Sequence, residues 1–418
     1  MDIEIRVPSD DNDIDALYRN VSIAFGETDS STADTDKALL ERDRTLMAVD
    51  SSHRTPSARV VGGICAYSFD FTTPGAMLPA AGVSWAGVLP THRRRGILRS
   101  LIDRQLHDVH ARGEPLAVLW ASESSIYGRY GYGRAVPTLG WTIETTHSRF
   151  VSPPERAGAI ALLEKKDAWA PMQDVYEDVR PRLPGFVSRT QGHWEHQFQL
   201  ENPAAPPYIF AVHFGSRVDG GERADGYVAY QLHAPEWEDE PAGLPAGRLT
   251  VRELVASTPR AYAALWDYVF STDLVQQVTA THRPVDEPLV HMLHDARRLQ
   301  GIVTDAIWLR IVDTVPALEG RRYATSDTFT IEVIDDLCPW NDGRWQLLTD
   351  PVDPVCKQTG AAPDITVPAS SLAAIYMGAS TLTGLSFAGL ADEHTPGALA
   401  RIDAAFSHPV APWAPHNF

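Results

Sequence analysis

Residues 82–133 read GVSWAGVLPTHRRRGILRSLIDRQLHDVHARGEPLAVLWASESSIYGRYGYG, and their pattern decides the fold. The first run, Val83 to Leu89, is short, apolar and rich in strand formers, and Pro90 stops it. Spacing then turns helical, with Leu98, Leu101, Ile102, Leu106 and Val109 on one face. Leu116 to Trp120 is a second apolar run of strand length, and a loop rich in glycine and tyrosine follows it. Strand, crossover helix and strand at this spacing make a βαβ-type unit. The helix begins at Arg93, Arg94, Arg95 and Gly96, where cations oppose the helix dipole. Glycine admits close backbone approach. Free amides beside guanidinium groups form a seat for a phosphate-rich anion; a solvated basic turn is the plain alternative. Neither GxGxxG nor GxxxxGK[ST] occurs in this stretch.

At 418 residues the chain exceeds one ordinary core, so two or three domains are expected. Its 44% hydrophobic content is that of a globular protein. Cys65, Cys338 and Cys356 lie far apart and offer neither a disulfide framework nor a metal pattern. A reducing cytoplasm and no metal are the expectation. The opening MDIEIRVPSDD is acidic and has no apolar core, so no signal peptide is read there. A net charge of −18 argues against nucleic-acid binding and towards cationic partners, although a charge surplus also serves solubility.

Before the βαβ unit, Ile3 to Val7 alternates like a strand, and Asp11 to Phe25 carries Ile14, Leu17, Tyr18, Val21 and Phe25 at helical spacing. Gly26 breaks that helix. Glu27, Asp29, Asp34 and Asp36 follow in a Ser/Thr-rich loop that either lines a site for amines or is a solvated connection. Thr45 to Val49 and Arg59 to Phe71 read as a hairpin around the turn SSHRTPSA. With a strand near Thr138 to Glu144, residues 1–150 make a first domain. Val151-Ser152-Pro153-Pro154 leads into a second, residues 151–300. There helical patterns (Ala168 to Val179, Arg260 to Phe270) alternate with strand candidates (Tyr208 to His213, Gly226 to His233, Arg248 to Val255). The last region, 301–418, opens with strand-like Asp305 to Val312 and Thr328 to Ile334, followed by two helix candidates. Ile365 to Ala391 is uncharged over a length that raises a membrane span. Pro368, three glycines and many Ser and Thr residues interrupt it, so a core position is expected.

Arg93-Arg94-Arg95-Gly96-Ile97-Leu98 resembles the arginine/glutamine-x-x-glycine-x pyrophosphate loop of GNAT-superfamily N-acetyltransferases, with Leu98 in place of the usual small last residue. Within that superfamily, VLPTHRRRGILR followed by ASESSIYGRYGYG resembles the enhanced intracellular survival (Eis) acetyltransferases, and the likeness runs through to the Phe418 terminus. It implies an α/β (α+β) architecture: two GNAT-like domains followed by a sterol-carrier-protein-like C-terminal domain, to which SLAAIYMG and STLTGLSFAG are similar. Acetyl-CoA is the implied acetyl donor. Its contacts match backbone at Ala86, Gly87 and Val88, the loop residues Arg94, Arg95, Gly96, Ile97, Leu98 and Arg99, and Ser122 with Glu123 after the next strand. Residues 151–300 show no second Arg/Gln-x-x-Gly loop between two matching elements, so that domain is expected to hold no cofactor and to supply packing and part of a substrate pocket.

The resemblance also implies the catalytic groups. Tyr127 matches the family's general acid, with Tyr130 and Tyr132 alternatives by residue type. The general base is the carboxylate of the last residue, here Phe418. Such a group has a reference pKa of about 3.5, which burial raises. Pro409, Pro412 and Pro415 stiffen the tail and Trp413 can anchor it, where a frayed end is the default. His92, His107 and His110 fall on the turn and the helix. Phe25 and Glu27 are acceptor-pocket candidates, and the penultimate Asn417 adds no charge. The implied reaction moves acetyl to amines of a polycationic acceptor, polyamine or aminoglycoside in type. The implied enzyme is a cytoplasmic homohexamer with no nucleic-acid or membrane partner. Two other readings use the same features: protein-lysine acetylation by the same machinery, and non-catalytic binding of an apolar ligand by the C-terminal domain.

Overall fold

The first part of the chain supplies strands β1 (Ile3–Arg6), β2 (Thr45–Asp50), β3 (Val60–Thr73), β4 (Ala76–Val88), β5 (Leu116–Trp120) and β6 (Gly133–Glu144). The middle supplies β7 (Ala159–Leu163), β8 (Tyr208–Ser216), β9 (Glu222–His233), β10 (Gly247–Ala256) and β11 (Val275–Arg283). Together with β12 (Ile302–Ile311) they form one twelve-stranded sheet in the order β1-β2-β3-β4-β5-β12-β6-β11-β10-β9-β8-β7. This computed structural model describes residues 3–27, 32–52, 59–155, 158–200, 204–216, 221–234 and 246–418. Asp29 and most of the SSHRTPSA turn lie outside the described residues.

Two helices shape the first unit. α1 (Asp11–Phe25) starts where the Asp10 side chain accepts from the Asp13 amide, carries Asp11 and Asp13 in its first turn, and ends at Gly26 with φ 79°. α2 (Ala33–Ala38) follows it, and α3 (Ile97–Ala111) crosses from β4 to β5. The face of α3 read from spacing is the buried one: Leu101, Ile102, Leu106 and Val109 pack on Val61, Ile64 and Ala66. β4 begins seven residues ahead of its expected start, at Ala76 rather than Val83. The stretch AMLPAAG contains Pro79 and small residues, which read as non-strand, yet it pairs with β3 as a continuous hairpin arm.

α4 (Ser124–Tyr127) follows β5, and the middle unit carries α5 (Lys165–Val179), α6 (Gln191–Gln197), α7 (Pro259–Phe270) and α8 (Leu289–Met292). The two units join edge to edge, with β6 antiparallel to β11 through pairs such as Ile143↔Val278.

Asp305 to Val312 is the main correction to the expected layout. It does not open the last region but lies inside the large sheet, antiparallel to β5 (Trp308↔Leu119) and to β6 (Ile302↔Gly140). Ala306 to Ile311 are all buried, as an interior strand requires. Apolar character marks such a strand but does not say which neighbours cover it.

The last region folds as a five-stranded sheet, β13 (Asp327–Ile334), β14 (Gly343–Thr349), β15 (Val355–Gln358), β16 (Ile365–Pro368) and β17 (Asp392–Glu393), ordered β15-β14-β13-β16-β17. It carries α9 (Thr314–Gly320), α10 (Ala369–Ile375), α11 (Leu382–Phe387) and α12 (Ala398–Phe406). Its core is continuous with the first unit: Phe329, Ile331, Leu372 and Tyr376 share a cluster with Tyr67, Phe69, Phe71 and Val118. α10 lies directly on β6. A Cβ at Gly133 would meet the Ser370 carbonyl oxygen at 2.2 Å, so only glycine permits that approach. The uncharged stretch from Ile365 is thus a strand and two short helices, with Ile365, Val367, Leu372, Ile375 and Leu382 buried. No helix among the described residues is long and apolar enough to cross a membrane.

After α12 the chain has no regular structure, yet it is held. The Trp413 amide donates to the Pro184 carbonyl (2.7 Å), its indole N–H donates to the His282 carbonyl, and the Arg283 guanidinium lies 4.8 Å from its ring. Trp413→Ala should cost about 3–5 kcal/mol, the usual range for truncating a buried large aromatic. A urea unfolding midpoint equal to that of the parent chain would show that the tail is not anchored there.

Candidate active site

β4 and β5 are parallel neighbours, paired only from Ala80↔Leu116 to Val83↔Leu119. Just beyond, β4 carries one residue more than β3: Gly63 opposes Gly87, but Cys65 opposes Ser84. Trp85 sits within this bulge at φ 56°, an unusual value for a bulky residue. A bulge bends its strand and leaves backbone groups outside the ladder. The two strands therefore part, and a wedge opens between their C-terminal ends.

A groove of about 690 Å³ runs from this wedge over the start of α3. Ala86, Gly87, Val88, Arg94, Gly96, Ile97, Leu98, Arg99, Ser122 and Glu123 all line it, as does Arg129, which sequence reasoning did not single out. Arg95 is exposed at the same turn but is not among the lining residues. The turn takes two left-handed residues, Arg94 at φ 63° and Gly96 at φ 82°. No side chain caps α3, so its first-turn amides are left for another acceptor. Arg93 has a different task. Its guanidinium donates to the Ala24 carbonyl (2.9 Å) and the Val88 carbonyl (3.3 Å), tying the loop to α1 and β4. Uncapped amides at a fifteen-residue helix with Arg94, Arg99 and Arg129 around them suit a pyrophosphate.

A second cavity, about 520 Å³, meets the groove at Phe25, Ala86 and Ser122, which line both. Tyr127 and Phe418 line this second cavity. Burial pushes the Tyr127 phenol above its ordinary value, with a hydrogen bond to Ser122 opposing in part, so the group stays protonated at neutral pH. Tyr130 lines the groove instead. Tyr132 lines neither space; its buried hydroxyl has no hydrogen-bond partner among the described residues. The three tyrosines of one short motif thus point three ways.

The terminus reaches the cavity along a fixed path. Trp120 at the end of β5 donates its indole N–H to the His416 carbonyl (2.9 Å), and Gln197 on α6 donates to the Pro415 carbonyl (2.9 Å). The Phe418 ring stands edge-on to Phe69, with centroids 4.9 Å apart.

The histidines of the βαβ motif do not converge here. His92 lines the groove with its Nε2 3.3 Å from an Asp50 oxygen, while His107 and His110 pack on Trp340. Other histidines do approach the site. His196, from the middle unit, lines the second cavity, and the His416 ring stacks on Phe418 with His193 beyond it. Sequence reasoning did not single them out, because His193 and His196 belong to the middle unit and His416 to the tail, all far in sequence from the βαβ motif. Burial holds His193 down to about 4 and drives His416 well below the usual histidine range, so both rings are neutral. Of the acidic loop, Glu27 and Asp36 line the cavity and Asp34 does not.

A wedge between parallel strands, an arginine-lined helix start and a protonated tyrosine beside it define an acetyltransferase of the GNAT class. Family models described as acetyltransferase (GNAT) domain match residues 4–135 and 185–311, and one described as sterol carrier protein domain matches residues 314–415. An uncharacterized N-acetyltransferase of Streptomyces avermitilis is 36% identical over 425 residues, covering 100% of both chains. N-acetyltransferase Eis of Mycobacterium tuberculosis (strain H37Ra) is 30% identical over 389 residues, 90% of this chain and 89% of that protein. The crystal structure of Eis1 from Mycobacterium abscessus superposes with a TM-score of 0.84 at 32% identity, covering 100% of both chains. The chain belongs to the Eis family of GNAT N-acetyltransferases, whose fold implies acetyl-CoA as co-substrate.

Tyr132→Phe removes a buried hydroxyl that nothing satisfies, so it should leave stability unchanged or raise it by up to about 1 kcal/mol. A fall in melting temperature of several degrees would mean that this hydroxyl has a partner.

Proposed function

We propose that the chain acetylates amines of polycationic small molecules, aminoglycosides above all, with Tyr127 as general acid and the Phe418 carboxylate as general base. One observation carries the reading: a protonated phenol and the chain's own terminal residue line a single cavity, and that cavity joins the cationic groove at Ala86 and Ser122. Arg94, Arg99 and the first amides of α3 would hold the pyrophosphate, leaving the thioester at the seam. The carboxylate takes a proton from the acceptor ammonium and frees its lone pair. As the amine nitrogen bonds to the carbonyl carbon and the C–S bond breaks, Tyr127 protonates the departing thiolate. The nitrogen loses a second proton to the phenolate as the amide forms, which restores the phenol, and the carboxyl group releases the first proton to solvent. Burial makes His193 and His416 weak proton acceptors, and neither lines the cavity, which supports the choice of the terminus over these two imidazoles. A homohexamer in the cytoplasm, as the family resemblance implies, completes the proposal.

Release of CoA thiol during acetylation of kanamycin tests it. Amidating the C-terminus by semisynthesis keeps the Phe418 ring and deletes the acid, and should abolish turnover while CoA still binds. A normal rate in the amidated enzyme would move the base elsewhere. Tyr127→Phe should slow turnover about 100-fold or more with CoA affinity kept. Burial raises the phenol, so its proton is lost only above the ordinary tyrosine value of about 10. Turnover should therefore show no alkaline fall from this group between pH 7 and about 10. Arg94→Ala combined with Arg99→Ala should weaken CoA binding at least about 10-fold, as expected for losing charge-assisted contacts; unchanged affinity in calorimetric titration would remove the groove assignment.

A further inference from the structure

The acceptor cavity has an end that takes no part in acetyl transfer. Tyr18, Thr32, Asp36, His196 and Gln199 line it, and none of them borders the cofactor groove. Asp36 is the fixed point of this end. One of its oxygens accepts from the Thr32 hydroxyl (2.7 Å) and the Tyr18 hydroxyl (3.1 Å). The other accepts from the Gln199 amide (3.0 Å), with the His196 Nε2 3.5 Å away. These groups come from α1, the turn before α2, and the α6 region, so both GNAT-like units hold one carboxylate in place.

Its charge is what matters for a ligand. Among the described residues no Lys or Arg lines the cavity. The adjacent Lys37 is turned away, its ammonium 2.8 Å from Asp15 and 3.7 Å from Asp34. Asp36 keeps a side-chain exposure of 16%, enough to be met from the cavity. Glu27 also lines the cavity, and the penultimate Asn417 is neutral. The amine that reacts must lie at the seam, beside Ala86, Ser122 and Tyr127. Asp36 lines the cavity but not the groove, away from that seam.

We propose that Asp36 is a specificity-determining residue, which binds a second ammonium group of the acceptor and thereby selects polyamines over monoamines. The inference rests on the reading that this cavity takes amine acceptors. Thr32, Tyr18 and Gln199 orient the carboxylate, and a molecule with one amine has nothing to offer it when that amine is at the seam. Removing the charge should then raise KM for a polyamine and leave a monoamine almost untouched.

The experiment compares parent enzyme and Asp36→Asn on kanamycin and on glucosamine, a sugar with one amine, by CoA thiol release. Asn keeps an oxygen for Thr32 and Tyr18, and CoA affinity equal to the parent's certifies a folded variant. The expected result is a KM for kanamycin raised about 10- to 100-fold, as for a lost charge-assisted contact, with kcat within about threefold and kcat/KM for glucosamine unchanged. An equal loss on both acceptors would assign Asp36 a purely structural role, and no loss on either would exclude contact; both overturn the proposal. A parent enzyme silent with both amines would overturn the underlying reading as well, a result distinct from either. If Asp36→Asn does not fold, the parent enzyme alone decides. Its preference for kanamycin over glucosamine should shrink between about 0.05 and 0.5 M salt, and a constant ratio would count against an ionic contact.

Discussion

A chain end has peptide bonds on one side only, and it usually frays. Everything distinctive about this site depends on preventing that. The means are hydrogen bonds to the tail's own backbone, from Trp120 to the His416 carbonyl and from Gln197 to the Pro415 carbonyl, above a buried Trp413. Trp120 ends β5, and Ser122 two residues on forms the seam between groove and cavity. One strand end thus sets both the donor's position and the terminus that is proposed to act on the acceptor. Gln197 also donates to Glu253, which is buried in a salt bridge with Arg189 (2.8 Å). A buried ion pair adds little net stability over an apolar substitute, but breaking one is costly, so its members hold their positions. Through it the middle unit helps to fix the tail.

The last domain contributes from beneath. Its core is shared with Phe69 on β3, and the Phe69 ring is the surface on which Phe418 rests. The domain thus packs beneath β3 and, through α10, on β6. Fold likeness alone does not assign function.

How far the sequence could be read follows the range of the interactions. The βαβ unit was legible because strand, helix and turn are each coded within a few residues, and α1 was legible down to its Gly26 stop. The groove was legible for the same reason, since all its lining residues except Ala24 and Phe25 come from one stretch of about fifty residues. Arg95 departs from it because a turn with two left-handed residues decides side-chain directions that spacing alone does not carry. β12 was visible as a strand but misplaced, because neighbours in a sheet are chosen by long-range pairing. The acceptor cavity was the least legible part. Asp36, His196, Gln199 and Phe418 come from three regions of the chain and meet only through tertiary packing. The family resemblance pointed to Phe418; nothing local pointed to His196 or His416.

The two spaces that meet at Ala86 and Ser122 have opposite electrostatic character. The groove carries Arg94, Arg99 and Arg129, whereas the cavity carries Glu27, Asp36 and the terminal residue, with no Lys or Arg among the described residues of its wall. Charges of opposite sign this close would partly cancel in the field felt far away, yet the chain's net charge of −18 leaves the outer field negative. At physiological salt that field reaches only about 8 Å. Within that range the negative field attracts cations, and an anionic donor would rely on contacts made inside the groove. This division explains why arginines are tolerated at the unfavourable end of α3. Their repulsion by the helix dipole, typically about 0.3–1 kcal/mol each at an exposed site, is small beside a charge-assisted phosphate contact of about 1.5–3 kcal/mol. The amides they flank gain the same anion as their partner.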